Sequence, residues 1–543
     1  MRVTPAELDE HERRYLGSVA DVAEVQARVL RAILGGARGS AFVRAHRLEN
    51  ASSVAELREQ VPIQRHEDHA PYIARMMAGE PDQLFDGAAD TFLETSGTTA
   101  GPKYFPARAL SPDAQALARI DDDFETSLFL REHPDLSYRG RHLRDDCGRW
   151  LALVGAPPVL EARGHRTGFI SGFTYERVHR AAPELHFVRP SWLRHLSGTR
   201  KLYVLARLAA AEDIRVVSGL PDAVVELARV VDGSAERFLR DVRDGTLSEP
   251  ISEALAAELP PLCPDPERAR ALERSAARDG RLRPRHVWPR LGLLRTYRQA
   301  GMRLHGDFLR EAYGAPLRDM GLHSTEGHAV AFCLGSEATA MALAIHRNFC
   351  EFVDEAGRAH LAHELEVGET YRLVLTTPHG LYRYDSRDLV RVIGDRHGVP
   401  VVELRGRDGA TSLVGEKLTE VHVTDAVAEA LAAFGARASG FAVVPHPPDG
   451  ERRGYYELVI ACEPPAPPAE RLAAAFEEAL GRANVWYREY RLKTGALDAP
   501  VVTHVDAGWF AALRARTLAE RGEQAKQPIF WTRPRPAEWP PVR

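Results

Sequence analysis

Apolar residues recur at three- and four-residue intervals from Val22 to Leu34 (Val22, Val25, Val29, Leu30, Ile33, Leu34), and Gly35-Gly36 follows. That spacing lays one apolar face along a helix, so residues 6–60 are expected to be helical. Ser52-Ser53-Val54-Ala55-Glu56 adds the serine–glutamate start of a short capped helix, and Val61-Pro62-Ile63 reads as an extended entry. Between 110 and 330 helices mix with short apolar runs of strand length, at 150–154 and 214–218, while 220–282 is helix-rich and charged. From 370 the pattern turns to β: strands are predicted at 371–377, 381–384, 389–393 and 401–404, with a turn at His379-Gly380. A boundary is placed near Gly406-Arg407-Asp408-Gly409, giving units 1–405 and 406–543. The second unit reads helix 423–434, strand 440–444, turn Pro447-Pro448-Asp449-Gly450, strand 455–461 and helix 469–480. This α, β, β, α order predicts a small α+β domain.

Composition narrows the class. The chain has 543 residues, enough for about three or four structural units. A net charge of −5 gives no basic surface for nucleic acid. Cys147, Cys263, Cys333, Cys350 and Cys462 form no C-x-x-C pair, which fits a reducing compartment. Met1 to Glu10 is charged and lacks the apolar centre of a signal peptide, and no apolar run approaches the roughly 20 residues that span a bilayer. A cytoplasmic protein without membrane or nucleic-acid partners is expected.

The candidate chemistry begins at Thr95-Ser96-Gly97-Thr98-Thr99-Ala100-Gly101-Pro102-Lys103-Tyr104, after the strand-like run 91–94. Gly97 and Gly101 let backbone amides approach an anion, Ser96, Thr98 and Thr99 add hydroxyl donors, and Lys103 adds a compact positive charge. Three residues, not four, separate the glycines, and proline precedes the lysine, so this is not the common P-loop. The glycine loop is therefore not that of a kinase-like phosphotransferase. Only five of the 71 basic residues are lysine (Lys103, Lys201, Lys417, Lys493, Lys526). In a chain otherwise built with arginine, a retained lysine marks a place where a narrow point charge is a candidate requirement.

Four further motifs follow in order. Leu322-His323-Ser324-Thr325-Glu326-Gly327 sets hydroxyls before a carboxylate, as a nucleotide–magnesium site needs; alone, Ser-Thr-Glu is more often a helix cap. Tyr382-Arg383-Tyr384-Asp385-Ser386-Arg387-Asp388 puts Asp388 at a strand–turn junction, able to accept from both ribose hydroxyls or simply to pair with Arg387 on a surface turn. Leu404-Arg405-Gly406-Arg407-Asp408 and Val414-Gly415-Glu416-Lys417 read as a glycine-flanked hinge, and Lys526 lies in Gln524-Ala525-Lys526-Gln527-Pro528 near the C-terminus.

Together with Val25 to Leu34, Val61-Pro62-Ile63, Pro71-Tyr72-Ile73-Ala74-Arg75, Val287-Trp288-Pro289, Gly380-Leu381-Tyr382-Arg383-Tyr384 and Gly508-Trp509-Phe510, this ordered set resembles the adenylate-forming superfamily. More closely it resembles the auxin-responsive (Gretchen Hagen) acyl-acid amido synthetases, in their bacterial form. The resemblance implies an α/β fold of adenylate-forming architecture: a large N-terminal adenylation domain with a β-rich subdomain, and a small mobile C-terminal α+β lid. It implies that ATP and Mg²⁺ are used to activate a carboxylic acid as acyl-adenylate, and that the acyl group passes to an amine such as an amino acid.

By that resemblance Ser96, Gly97, Thr98, Thr99, Gly101 and Lys103 hold phosphate, and Ser324 and Thr325 meet the α-phosphate. Glu326 takes magnesium. His323 stands partly in for the adenine aromatic absent at Leu322, and Asp388 binds ribose. Arg407 and Lys417 belong to the hinge, and Lys526 reaches the reacting carboxylate. Catalysis is expected from Lys526, Lys103 and Glu326. Trp150, Phe169, Phe173, Tyr175 and Trp192 are available for the acid pocket. One departure stands out: most relatives carry glycine before the ribose aspartate, where this chain has Arg387, as some aryl-CoA ligases of the superfamily do. An acyl- or aryl-CoA ligase and a non-catalytic nucleotide sensor on the same scaffold are the alternatives.

Overall fold

The computed structural model describes residues 1–95, 103–161, 164–299, 306–407, 410–411, 413, 416, 418–447, 453–489, 491, 496–521, 529–531 and 539. The helix Val22–Gly35 forms where its period predicts, started by the Asp21 side chain and burying Val22, Val25, Val29, Leu30, Ile33 and Leu34. The helix Val54–Gln60 carries the reciprocal Ser53–Glu56 cap. These helices and the helix His66–Met77 pack around Phe42, Phe349 and Tyr382.

His69, fully buried, accepts a hydrogen bond from the Tyr382 amide at 3.1 Å and so must be neutral. Burial lowers its pKa to about 4. Between that value and the ordinary histidine value only the unfolded chain binds the proton, so stability is lost as pH falls through this window. His69→Gln is expected to flatten the decline by up to about 1.4 kcal/mol per pH unit, measured from urea midpoints between pH 7 and 4.5.

Among the described residues the large unit holds three principal sheets. A parallel sheet runs in the order Leu317–Arg318, Leu293–Arg295, Ile214–Gly219, Arg149–Leu153. The helices of 198–279 bury it on an apolar core that includes Trp192, Tyr203 and Trp288. A smaller sheet is built on the hairpin Thr91–Glu94 and Tyr104–Ala107, extended by Arg166–Gly168 and Val159–Leu160. The third, antiparallel sheet orders Leu322–Ser324, His328–Cys333, Met341–Leu343, Val399–Arg407, Tyr384–Arg396, Thr370–Thr376, Phe349–Val353 and Ala359–Leu361. Its buried face packs against Tyr15 and Phe124, whose rings stack at 3.7 Å.

Two β predictions are corrected. Residues 381–383 are not strand: Arg383 has φ +47°, and its side chain is bound by Glu351 and the Val61 carbonyl. The strand then runs unbroken as Tyr384–Arg396, so Asp388 sits within it rather than at a turn. The polar triplet Ser386-Arg387-Asp388 imitates a turn, but its bonds stay within the sheet. Ser386 Oγ donates to the Leu373 carbonyl at 2.9 Å, and Asp388 is registered opposite Arg407. Gly406 and Arg407 likewise end the strand Val399–Arg407 instead of forming the first half of a hinge turn.

The last unit places helices Glu420–Ala432 and Ala469–Ala483 against the strands Ala438–His446 and Tyr455–Cys462. Val501–His504 adds a parallel third strand that the hydrophobic pattern had not suggested. The helix Ala507–Arg521 covers the other face and also meets the helices Gly198–Ala209 and Pro221–Gly233 of the large unit. No helix among the described residues is long and apolar enough to cross a membrane.

Candidate active site

The hairpin strands pair to Glu94–Tyr104, and the Thr95 amide donates to the Lys103 carbonyl at 2.9 Å. Both ends of the glycine-rich segment are therefore held in register, and a strand, not a helix, follows the lysine. Ser96, Gly97, Thr98, Thr99 and Gly101 lie outside the described residues, as do Lys417 and Lys526. Lys103 Nζ is 3.2 Å from Glu67, with both side chains well exposed. His66 Nε2 lies 3.2 Å from the Tyr104 carbonyl, tying the hairpin base to the helix His66–Met77. Phe105 sets its ring edge against Tyr384, centroids 5.7 Å apart, which joins this hairpin to the large antiparallel sheet.

On that sheet Ser324 pairs with His328, so Thr325, Glu326 and Gly327 form the turn of a second hairpin rather than a helix start. Ser324 Oγ accepts from the Gly327 amide at 3.0 Å, and the Gly327 carbonyl accepts from Asn348 at 2.9 Å. A side chain at Gly327 would meet Val330 and Leu375 at 2.7 and 2.8 Å, so one of those side chains would have to shift to admit it. Glu326 is 9% exposed. Burial raises its pKa, Arg407 opposes the rise and Asp388 adds to it. Arg407 Nε donates to Asp388 Oδ1 at 3.1 Å across the two neighbouring strands. Tyr384 feels both Glu326 and Arg407, and burial pushes its phenol pKa up. Glu326, Asp388, Arg407 and Tyr384 thus form one group, two carboxylates against one guanidinium, beside the base of the first hairpin.

Arg387 has φ +62°, in the left-handed region where glycine alone is unstrained. Arg387→Gly is expected to raise stability by about 1 kcal/mol, read from denaturant midpoints; an equal or larger loss would mean that the arginine side chain contributes more than its backbone costs.

Leu322 is buried in the apolar core of the sheet. His323 stands beside Glu125 of the helix Pro112–Glu132; burial lowers its pKa to about 4, and its Nδ1 has no hydrogen-bond partner. Glu125 accepts from Tyr138 at 2.6 Å and from Arg139 at 2.5 Å. Asp122 pairs with Arg139 and Arg347, and Asp121 with His346. This buried charge network escaped the motif reading. Its signal was the run Asp121-Asp122-Asp123-x-Glu125, because consecutive helical residues point about 100° apart and four such acids cannot all face water.

Trp150, Tyr175 and Trp192 are core residues, whereas Phe169 and Phe173 are half-buried. Phe173 lies edge-on to His328 at 6.2 Å, and His328 stacks on His379 at 4.0 Å. Burial lowers the His328 pKa to about 3 and holds that of His379 well below the ordinary histidine value, so both rings are neutral at pH 7. Lys201 is buried, and its ammonium donates to the Val154 carbonyl, a structural role.

The chain matches models of the GH3 family over its N-terminal domain at 13–317, its central domain at 341–407 and its C-terminal domain at 421–534. It is 26% identical over 566 residues to indole-3-acetic acid-amido synthetase GH3.8 of Oryza sativa subsp. indica, covering 96% of this chain and 89% of that one. It is 23% identical over 566 residues to indole-3-acetic acid-amido synthetase GH3.6 of Arabidopsis thaliana, covering 94% and 90%. Among solved structures it is similar to AtGH3.15 acyl acid amido synthetase in complex with 2,4-DB, at TM-score 0.82 and 18% identity over 98% and 95% of the two chains. A more distant likeness, TM-score 0.51 at 15% identity over 89% and 85%, is to a 2-hydroxyisobutyryl-CoA ligase in complex with 2-HIB-AMP.

Proposed function

The chain belongs to the GH3 family, and from that premise we propose that it is an ATP-dependent acyl-acid amido synthetase. A carboxylate oxygen attacks the α-phosphorus of ATP and pyrophosphate leaves. An amine nitrogen then bonds to the acyl carbon, the anhydride C–O bond breaks with its electron pair going to AMP, and the nitrogen loses a proton. An amino acid is the proposed amine, in keeping with the jasmonoyl–L-amino acid synthetases of Nicotiana attenuata among the relatives.

The observation that carries this reading is the grouping of Glu326, Asp388 and Arg407 beside the hairpin whose return strand follows Lys103. In the first step two anions approach, so the chain's task is charge neutralisation and alignment. Asp388 would accept from the ribose hydroxyls, with Arg407 swinging between that carboxylate and the phosphates. Thr325 and the glycine-rich segment 95–103 would donate to phosphate oxygens. The surplus of buried negative charge at Glu326 fits a divalent cation that takes its remaining ligands from phosphate and water, and Mg²⁺, when bound, would offset the phosphate charge. Lys526, by family likeness, would reach the reacting carboxylate. The segment 406–543 would act as the lid between the two steps.

The test is acid-dependent exchange of pyrophosphate into ATP across aryl, indolyl, fatty and polyketide-like acids. Mass analysis of products with either CoA or an amino-acid pool follows. Exchange with an amide product supports the reading; exchange with only a thioester makes the chain a CoA ligase; nucleotide binding with no exchange makes it a sensor.

A further inference from the structure

Six arginines lie close enough to influence the charge of Glu326, His323, His328 or His379: Arg108, Arg139, Arg177, Arg295, Arg347 and Arg407. Five are committed. Arg139 and Arg347 pair with Asp122, Arg295 lies 3.6 Å from Glu125, and Arg407 holds Asp388. Arg108 donates to the Gly36 and Asp86 carbonyls. Arg177 alone of the six has no hydrogen bond or ion pair among the described residues. It is exposed on the helix Ile170–Ala181, whose Glu176 is taken by Arg166 at 2.7 Å and lies 3.9 Å from Arg180. Its guanidinium sits 5.9 Å from the Phe173 ring centre, so aromatic packing limits where it can point. Phe173 in turn meets His328, two residues beyond Glu326. The ladder Arg177, Phe173, His328, His379 therefore ends in a forked cation on the solvent side of the site, without an ionic partner among the described residues.

An acyl acid gives up its carboxylate charge when the anhydride forms. An amino-acid acceptor arrives afterwards from solvent and keeps its carboxylate throughout, so it needs a lasting cation at the rim. We propose that Arg177 binds the carboxylate of the acceptor amino acid and orients its amine toward the acyl carbon. This rests on the amido synthetase reading above. A planar guanidinium suits a carboxylate because two parallel N–H bonds fix its direction as well as its distance.

The test uses the full-length enzyme with an acid that supports exchange. L-alanine, L-glutamate and L-phenylalanine are each compared with their carboxamides. Arg177→Ala is expected to raise KM for the conjugated amino acid by about 10- to 100-fold, to erase its preference over the carboxamide, and to leave acid-dependent exchange within about twofold of wild type. Arg177→Lys should recover part of the KM, and Arg180→Ala, on the same helix, should change nothing. An unchanged KM in Arg177→Ala, or loss of exchange in parallel with conjugation, overturns the assignment. Absence of exchange in the wild type would instead overturn the amido synthetase reading itself.

Discussion

Glu326→Gln is expected to lower acid-dependent pyrophosphate exchange by about 10²–10³-fold while the folded state becomes no less stable at pH 7. The rate loss follows from removing a charge placed where the nucleotide's phosphates would gather. The stability effect has the opposite sign because burial raises the Glu326 pKa. In the interval above the ordinary glutamate value the native state holds its proton longer than the unfolded chain, so stability falls as pH rises through it, and the ionised carboxylate remains a cost at neutral pH. Glutamine keeps the shape and removes that cost. Exchange rates and urea midpoints measured on the same preparation decide it. A variant that loses stability and activity together would make Glu326 a structural residue.

Glu351→Ala is expected to cost about 3–5 kcal/mol of stability in the large unit. Glu351 is 1% exposed and takes Arg383 through both carboxylate oxygens, at 2.9 and 3.1 Å, and Arg58 at 2.7 Å. Removing it leaves the buried Arg383 guanidinium with only the Val61 carbonyl among the described residues. Arg383 also fixes where the strand Tyr384–Arg396 begins, and through it the position of Asp388. ATP affinity should therefore fall along with stability. Replacing both partners, Glu351→Leu with Arg383→Met, should recover much of the stability, since no buried charge is then left unpaired. A Glu351→Ala loss below about 1 kcal/mol, from denaturant melts followed by tryptophan fluorescence, would show that water satisfies Arg383 without the carboxylate.

Repeating Gly380-Leu381-Tyr382-Arg383-Tyr384 as a family signature pointed to this place without its cause. The cause is long-range. Arg383 answers a glutamate on the strand Phe349–Val353 and a carbonyl at Val61, while Tyr382 answers His69 and the Leu84 carbonyl. None of these partners is near in the chain, so no window of local pattern contains them.

The same division runs through the site. Helix Val22–Gly35 and the Ser53–Glu56 cap were legible because period and capping are local chemistry, complete within a few turns of chain. The hairpin flanking the glycine-rich segment was half legible: the strand before it showed its apolar run, while the antiparallel return at Tyr104–Ala107, which contains a proline, did not. Asp388 was located by its motif but given the wrong setting, because Ser386-Arg387-Asp388 is as polar as any turn. Only pairing with the strand Val399–Arg407 shows that the sheet continues through it.

The order of residue types along the chain was enough to single out Lys103, Glu326, Asp388 and Arg407 as candidates, since loop composition and hydroxyl–carboxylate spacing are properties of short segments. Tertiary structure alone decided that Glu326 and Asp388 share Arg407, that the acids of 121–125 meet Arg14, Arg139, Arg141, Arg295, His346 and Arg347, and that Arg177 has no ionic partner among the described residues. Charge balance depends on which side chains meet in space, and strands 60 residues apart in the chain can place them within hydrogen-bonding distance or on opposite faces of the sheet.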